Sequence, residues 1–173
     1  VSVPSRESVD EYVEVRSRVE KLVGQINGEH GEVGQVPVHY LRRNLPIEEL
    51  VANYIAADVM LVTPFRDGMN LVAKEYIACR LHDTGVLLLS EFTGAARELD
   101  RAVLVNPHDI DGMARAIDKA IAMPKSEQAR RIRSMRQKIR RRTVFDWAND
   151  FLGAVDSASS FSMAAGGATR ESS

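Results

Sequence analysis

The spacing of apolar and polar positions predicts a series of helices. Between Ser8 and Ile26 apolar residues recur every three or four positions among charged ones, which is the pattern of an amphipathic helix. We expect Ser8 to cap this helix and Gly28 to end it. Further helices are predicted over 47–57, 70–80, 95–99, 109–122, 126–141 and 143–155.

Short continuous apolar runs alternate with these helices and predict strands. They cover 36–41, 58–62, 85–90 and 102–105. Pro37 suits only the first residues of a strand. Because strands and helices alternate, we predict an α/β fold in which helices cover both faces of a parallel sheet. This domain spans 1–156, and the Ser-, Ala- and Gly-rich segment 157–173 is predicted to be a disordered tail.

Composition excludes several classes of protein. The 173 residues are 45% hydrophobic and 27% charged, as in an ordinary soluble domain, and the net charge of -1 gives no overall attraction to nucleic acid or an anionic membrane. Cys79 is the single cysteine, so an intramolecular disulfide is excluded, and no apolar stretch is long enough for a membrane span. We therefore expect a cytoplasmic protein. Because the chain opens in V-S-V-P, as if midway through a strand, we expect a fragment.

The stretch T-P-F-R-D-G-M-N-L-V-A-K-E-Y at 63–76 carries the strongest functional signal. It connects a predicted buried strand to a predicted helix, which is where open α/β sheets bind ligands. Asp67 is a suitable N-cap and Gly68 allows close approach to the backbone, while the N–H groups of the first helical turn attract anions. The stretch is predicted to be a phosphate site.

Charged residues around this stretch each have two interpretations. Asp67 and Glu75 bracket one groove, where they could hold sugar and ribose hydroxyls, or they are a helix cap and a solvated side chain. Arg66 and Lys74 could neutralise a phosphate or be surface charges. Arg6, at the end of the first strand, could contact a substrate or be a solvated loop residue.

Other candidate sites are weaker. The eight Arg and Lys residues between 130 and 142 suggest nucleic-acid binding, but no aromatic residue lies among them. Ile132, Met135 and Ile139 predict an inward helix face, so a solvated charged face is the favoured interpretation. The four histidines have no ligand spacing, and no metal is predicted. The glycine-rich dinucleotide, P-loop and nucleophile-elbow motifs are absent.

Several motifs together resemble one family. They are P-S-R at 4–6, G-Q-I-N-G at 24–28, V-H-Y-L at 38–41, A-A-D-V-M-L-V-T-P-F-R-D-G-M-N-L-V-A-K-E-Y at 56–76, G-V-L-L-L-S-E-F-T-G-A-A at 85–96 and L-V-N-P at 104–107. Over roughly 1–152 the chain resembles the trehalose-6-phosphate synthases, which are retaining glycosyltransferases of family 20. These enzymes have two Rossmann-like domains in the GT-B arrangement. The resemblance implies the C-terminal, nucleotide-sugar-binding half, followed by C-terminal helices.

The resemblance also implies an activity and a set of site residues. The family transfers glucose from UDP-glucose, or from ADP-glucose, to glucose 6-phosphate with retention and without a metal or cofactor. Asp67 would contact the donor glucose as the catalytic residue, Glu75 the ribose, and Arg6 the phosphate of the acceptor. The donor-binding residues implied are Leu45, Asp67, Gly68, Met69, Asn70, Leu71, Val72, Ala73, Lys74 and Glu75.

Two alternatives remain at this point. One is a related transferase with another acceptor, such as glucosylglycerol-phosphate synthase acting on glycerol 3-phosphate, and the other is a non-catalytic paralogue that binds nucleotide sugars. The acceptor-binding N-terminal domain of the family is absent, as is the Arg and Lys pair that clamps the UDP phosphates. We therefore expect little transferase activity from this chain alone and leave a homo-oligomer open for the complete enzyme.

Overall fold

The computed structural model describes residues 10–141 together with 145–146, 148–149 and 152–153. The chain divides into two compact units, Val1–Ala52 and Asn53–Ser173. The helices are α1 (Asp10–His30), α2 (Ile47–Ala56), α3 (Leu71–Cys79), α4 (Ala95–Glu98), α5 (Ile110–Ile121) and α6 (Lys125–Arg141). The strands are β1 (Val59–Val62), β2 (Val86–Ser90) and β3 (Val103–Val105).

In the first unit, α1 continues past Gly28, where we predicted its end. A single glycine inside a helix costs only about 1 kcal/mol relative to alanine, so Gly28 alone does not stop it. The helix ends before Gly31, whose N–H donates to the Asn27 carbonyl at 3.0 Å. A Cβ at position 31 would lie 2.3 Å from that carbonyl oxygen, so only glycine fits this exit. The predicted cap, Ser8, lies outside the described residues.

The predicted strand over 36–41 is wrong, because the segment is irregular. The Val38 N–H donates to Asn27 Oδ1 at 2.9 Å, and Asn27 Nδ2 donates to the Val38 carbonyl at 3.0 Å. A strand requires a neighbouring strand for its backbone groups, and here an asparagine side chain takes that place. The predicted helix over 47–57 is confirmed as α2.

The second unit contains the predicted parallel sheet. Its strand order is β1-β2-β3, and both pairs are parallel, with Val59 opposite Val86 and Leu88 opposite Val103. Every residue of β2 is buried. Val86 and Leu88 pack with Ala120 of α5 on one face, so by strand alternation Leu87 and Leu89 point to the other. Both faces of β2 are therefore covered, as the continuous apolar run predicts.

Helix α6 has the inward apolar face that we predicted. Ile132 and Met135 are buried, and Ile139 is half-buried. Cations of α6 form ion pairs with carboxylates: Arg130 and Arg131 with Glu127, Arg133 and Arg136 with Asp83, and Lys138 with Asp100. Much of the positive charge that suggested nucleic-acid binding is thus neutralised within the protein.

Only part of the predicted last helix falls within the described residues. Residues 145–146, 148–149 and 152–153 are helical, in agreement with the prediction over 143–155. The apolar positions Val144, Trp147 and Phe151 lie outside the described residues, and so does the predicted tail, 157–173.

Candidate functional site

The loop 63–70 joins β1 to α3 at the edge where the parallel strands end. It is tied to the loop after β2, since the Asp67 N–H donates to the Phe92 carbonyl at 3.4 Å and the Gly94 N–H donates to the Asp67 carbonyl at 3.0 Å. A Cβ at position 94 would lie 2.0 Å from the carbonyl oxygen of Gly68. The close approach of the two loops therefore requires glycine at 94.

The Asp67 carboxylate organises its own loop. Its Oδ1 accepts from the N–H groups of Met69 at 3.0 Å and Asn70 at 3.1 Å, and its Oδ2 accepts from Asn70 Nδ2 at 2.9 Å. A carboxylate offers about four acceptor positions, so one position on Oδ2 remains for a ligand hydroxyl.

Our prediction that Asp67 is the N-cap of the helix is wrong, because Asn70 has that role. Asn70 adopts φ 66°, in the left-handed region that asparagine tolerates, and its side-chain oxygen accepts from the Ala73 N–H at 2.9 Å. The helix begins at Leu71, so Asp67 lies too far before its first turn to be the N-cap.

The start of α3 presents backbone donors at the surface. Leu71 and Val72 are 58% and 42% exposed and lie in the first turn, where a helix provides no acceptor for its own N–H groups. Gly68 is exposed and adds open backbone before the helix. With the positive end of the helix dipole, these groups form a site that can bind an anion.

Glu75 lies one turn further along α3 and is exposed. Its Oε2 accepts a hydrogen bond from the Tyr54 hydroxyl at 2.9 Å. Burial, and after it the hydrogen bond to Glu75, raises the pKa of Tyr54 to about 12, so the phenol stays protonated at neutral pH. Burial and then the Glu75 charge also raise the pKa of Cys79.

Two predicted donor-binding residues have partners within the protein. Lys74 Nζ lies 2.6 Å from a Glu98 carboxylate oxygen in a largely buried ion pair. Ala73 is fully buried, and Asn70 accepts its N–H. Arg66 is exposed.

Two further predicted site residues lie outside the described part of the second unit. Leu45 is half-buried and lies in the first unit, just before α2. Arg6, the predicted contact to the acceptor phosphate, lies outside the described residues.

The described residues contain neither a cluster of metal ligands nor a membrane-spanning helix. Within 10–141 and the helical residues beyond, no three His, Cys, Asp or Glu side chains are grouped so as to hold a metal ion. In the same part of the chain, no helix combines the length and apolar character needed to span a membrane.

Comparison with known proteins decides the family. Residues 1–157 match the sequence profile of Glycosyltransferase family 20. The chain belongs to this family. Its similar relatives include the trehalose-6-phosphate synthases of Mycobacterium avium (strain 104), 54% identical, and Mycobacterium tuberculosis (strain H37Rv), 53% identical, in each case over 90% of this chain. The chain spans about a third of the length of these curated relatives, 32% and 31%.

Solved structures of family members have the same fold. An α,α-trehalose-phosphate synthase (UDP-forming) from Burkholderia xenovorans, in complex with glucose 6-phosphate, matches with a TM-score of 0.84 and 41% identity. That match covers 90% of this chain and 35% of the other. The Escherichia coli protein bound with UDP-2-fluoro glucose matches with a TM-score of 0.81 and 41% identity, over 87% of this chain and 34% of the other. The predicted fold, a Rossmann-like half of a GT-B glycosyltransferase, is confirmed.

Sequence reasoning about this family 20 chain missed several residues beside the site. Tyr54 is 21 positions before Glu75, and no local pattern connects them. Asn70 could have been identified as the cap, because asparagine is a preferred N-cap and directly precedes the helix. An aromatic cluster at the same edge was also missed. His108 stacks on Phe65 with ring centres 4.7 Å apart and meets Phe92 edge-on at 5.9 Å.

Proposed function

We propose that this chain is the nucleotide-sugar-binding part of an α,α-trehalose-6-phosphate synthase. The complete protein would transfer glucose from UDP-glucose, or from ADP-glucose, to glucose 6-phosphate with retention of the anomeric configuration. The observation that carries the proposal is the turn at Asp67, whose carboxylate accepts from the N–H groups of Met69 and Asn70 just before the exposed start of α3. This turn lies in a chain 54% identical over 90% of its length to a trehalose-6-phosphate synthase.

The geometry supports a different ligand contact for each site residue. The remaining acceptor position on Asp67 Oδ2 suits a hydroxyl of the donor glucose, and this carboxylate is the proposed catalytic residue. The N–H groups of Leu71 and Val72 suit the diphosphate. Glu75 is exposed one turn away and suits the ribose hydroxyls.

Backbone donors at a helix start also suit the chemical step. When UDP departs, negative charge develops on the β-phosphate and the sugar becomes oxocarbenium-like. Donors that are already oriented stabilise such charge without reorganising. The mechanism needs neither a metal nor a cofactor under this proposal. As the family resemblance implies, the Leu45 backbone would contact the uridine side, and Arg6 would contact the acceptor phosphate.

We also propose a cellular location and a set of partners for the enzyme. The single Cys79 favours the cytoplasm, where thiols stay reduced. A homo-oligomer of the complete enzyme is one arrangement to test. We propose no nucleic-acid partner, which the many ion pairs of α6 support.

Transferase assays on the complete gene product test the function. We expect trehalose 6-phosphate and UDP from UDP-glucose and glucose 6-phosphate, and a kcat/KM lower by about 100-fold or more in Asp67→Asn. Asp109→Asn is the matched control, because Asp109 caps α5 at the same edge by accepting from the Gly112 N–H at 2.8 Å and asparagine caps equally well.

The acceptor and the donor distinguish the alternatives. Turnover with glycerol 3-phosphate but not with glucose 6-phosphate would identify the sister transferase. Saturable UDP-glucose binding without turnover would identify a non-catalytic paralogue. A complete protein that neither binds nor turns over UDP-glucose or ADP-glucose would refute the proposal.

A further inference from the structure

Tyr54 is the one buried residue of α2, and its hydroxyl forms a hydrogen bond to a residue of α3. Its side chain is 6% exposed, and its hydroxyl donates to Glu75 Oε2 at 2.9 Å. The bond joins a buried phenol to an exposed carboxylate, so one end is held in the core while the other faces solvent.

The position of Tyr54 is held from two sides. The Arg80 guanidinium, itself 6% exposed, donates through Nη1 to the carbonyls of Tyr54 at 3.0 Å, Ile55 at 2.6 Å and Ala57 at 3.1 Å. The Tyr54 ring also meets the Tyr76 ring edge-on, with centres 6.4 Å apart. Both the backbone and the ring of Tyr54 are therefore fixed. Its hydroxyl cannot readily move to another acceptor.

The Tyr54 hydroxyl stays protonated and can therefore always donate a hydrogen bond. Because the pKa of Tyr54 is raised to about 12, the hydroxyl carries its proton over the whole physiological range. On Glu75 the bond takes one acceptor position of Oε2, and each carboxylate oxygen offers about two. Both oxygens of Glu75 thus keep acceptor capacity towards solvent.

We propose that Tyr54 is a positioning residue that holds the Glu75 carboxylate in the orientation that accepts hydrogen bonds from the vicinal ribose hydroxyls of the nucleotide. The inference rests on the proposed function and deepens it. A free glutamate on a helix surface samples several rotamers, and fixing one of them lowers the entropy lost when the ribose binds. Tyr54 itself does not touch the nucleotide in this arrangement.

Nucleotide analogues provide the sharpest test, in the complete gene product. UDP, 2′-deoxy-UDP and 3′-deoxy-UDP are titrated against the wild type and Tyr54→Phe, which keeps the ring. We expect the wild type to bind UDP about 10-fold more tightly than either deoxy analogue, and the variant to discriminate by about 3-fold or less, as one lost hydrogen bond implies. The KM for UDP-glucose should rise about 5-fold, with kcat changed by less than about 2-fold.

Tyr76→Phe is the matched control. Tyr76 is also a buried phenol, but its hydroxyl donates to the carbonyls of Ala57 at 3.3 Å and Val86 at 3.5 Å. This variant should lose stability and keep the ribose discrimination of the wild type. In a Glu75→Ala background, which removes the acceptor, Tyr54→Phe should have no further effect on discrimination, because the two residues act as one unit.

The outcomes separate the two proposals. Wild-type ribose discrimination that persists in Tyr54→Phe, or that falls equally in Tyr76→Phe, overturns the role of Tyr54 and leaves the proposed function standing. Independent, additive effects of Tyr54→Phe and Glu75→Ala would also overturn it. A wild-type protein that binds neither UDP nor ADP overturns both.

Discussion

The two units of the chain differ in how they cover their apolar residues. In the unit Asn53–Ser173, no side chain of β2 is more than 3% exposed. In the unit Val1–Ala52, Val13 and Leu22 of α1 are 49% and 48% exposed. An apolar residue stabilises a fold in proportion to the surface that its neighbours remove from water. Similar amounts of apolar sequence should therefore contribute unequal stability in the two units.

The largest expected difference concerns leucines. Leu88→Ala, at a fully buried position of β2, should lower the free energy of unfolding by about 3 kcal/mol, because it leaves a cavity. Leu22→Ala, on α1, should cost less than about 1 kcal/mol. Urea denaturation of both variants measures the difference. Equal losses would mean that the exposed face of α1 is covered in solution.

A second comparison uses arginines. Arg80→Met removes donors from the carbonyls of residues 54, 55 and 57 in the second unit and should cost about 2–3 kcal/mol. Arg43→Met breaks an exposed ion pair with Glu49 in the first unit and should cost at most about 1 kcal/mol. The same denaturation experiment applies, and a larger cost at Arg43 would contradict the comparison.

Alkaline pH should weaken the second unit through Tyr54. The folded state raises this pKa from 10.0 to about 12, so the stabilisation is complete below pH 10 and is lost as the pH rises towards 12. We expect a loss of about 1 kcal/mol by pH 11 from this group. The free energy of unfolding, measured from pH 9 to 11, should fall less steeply in Tyr54→Phe. Burial also raises the pKa of Tyr76, so some slope should remain. An unchanged slope would show that Tyr54 does not titrate in this range.

The smallest effect is expected at Asn27. Asn27→Ala removes both hydrogen bonds to the Val38 backbone and should cost about 1 kcal/mol, confined to the first unit. Hydrogen exchange of the Val38 amide should accelerate by roughly fivefold. Asn106→Ala, which removes an exposed bond to the His108 N–H in the second unit, is the control and should leave Val38 unchanged. Unaltered exchange at Val38 in Asn27→Ala would contradict the assignment.

The same contrast explains what the sequence could predict. The strands of the second unit follow from their apolar runs, because each run has a neighbouring strand within the described chain. The segment 36–41 has a comparable run, yet its pairing depends on residues elsewhere, which local pattern does not contain. An apolar run therefore predicts a strand reliably only where another strand is placed to pair with it, as β1, β2 and β3 are.

The candidate site was predictable in its location and less so in its details. The strand-loop-helix junction follows from the order of residue types alone. The division of roles between Asp67 and Asn70 does not, because both are good caps and the backbone conformation at Asn70 decides between them. The bond from Tyr54 to Glu75 connects distant positions and appears only in three dimensions. Ligand contacts of the site residues stay predictions.

Two glycines of the site differ in what they would allow a protein engineer to do. A side chain at position 94 would collide with the backbone of Gly68, so a mutant library there should return almost only the parent residue. A Cβ at Gly68 meets nothing within 4 Å, and its backbone needs no positive φ. Under the proposed function, diversity aimed at new donor sugars can therefore be placed at position 68, where the fold accepts a side chain and selection against it would come from the proposed substrate.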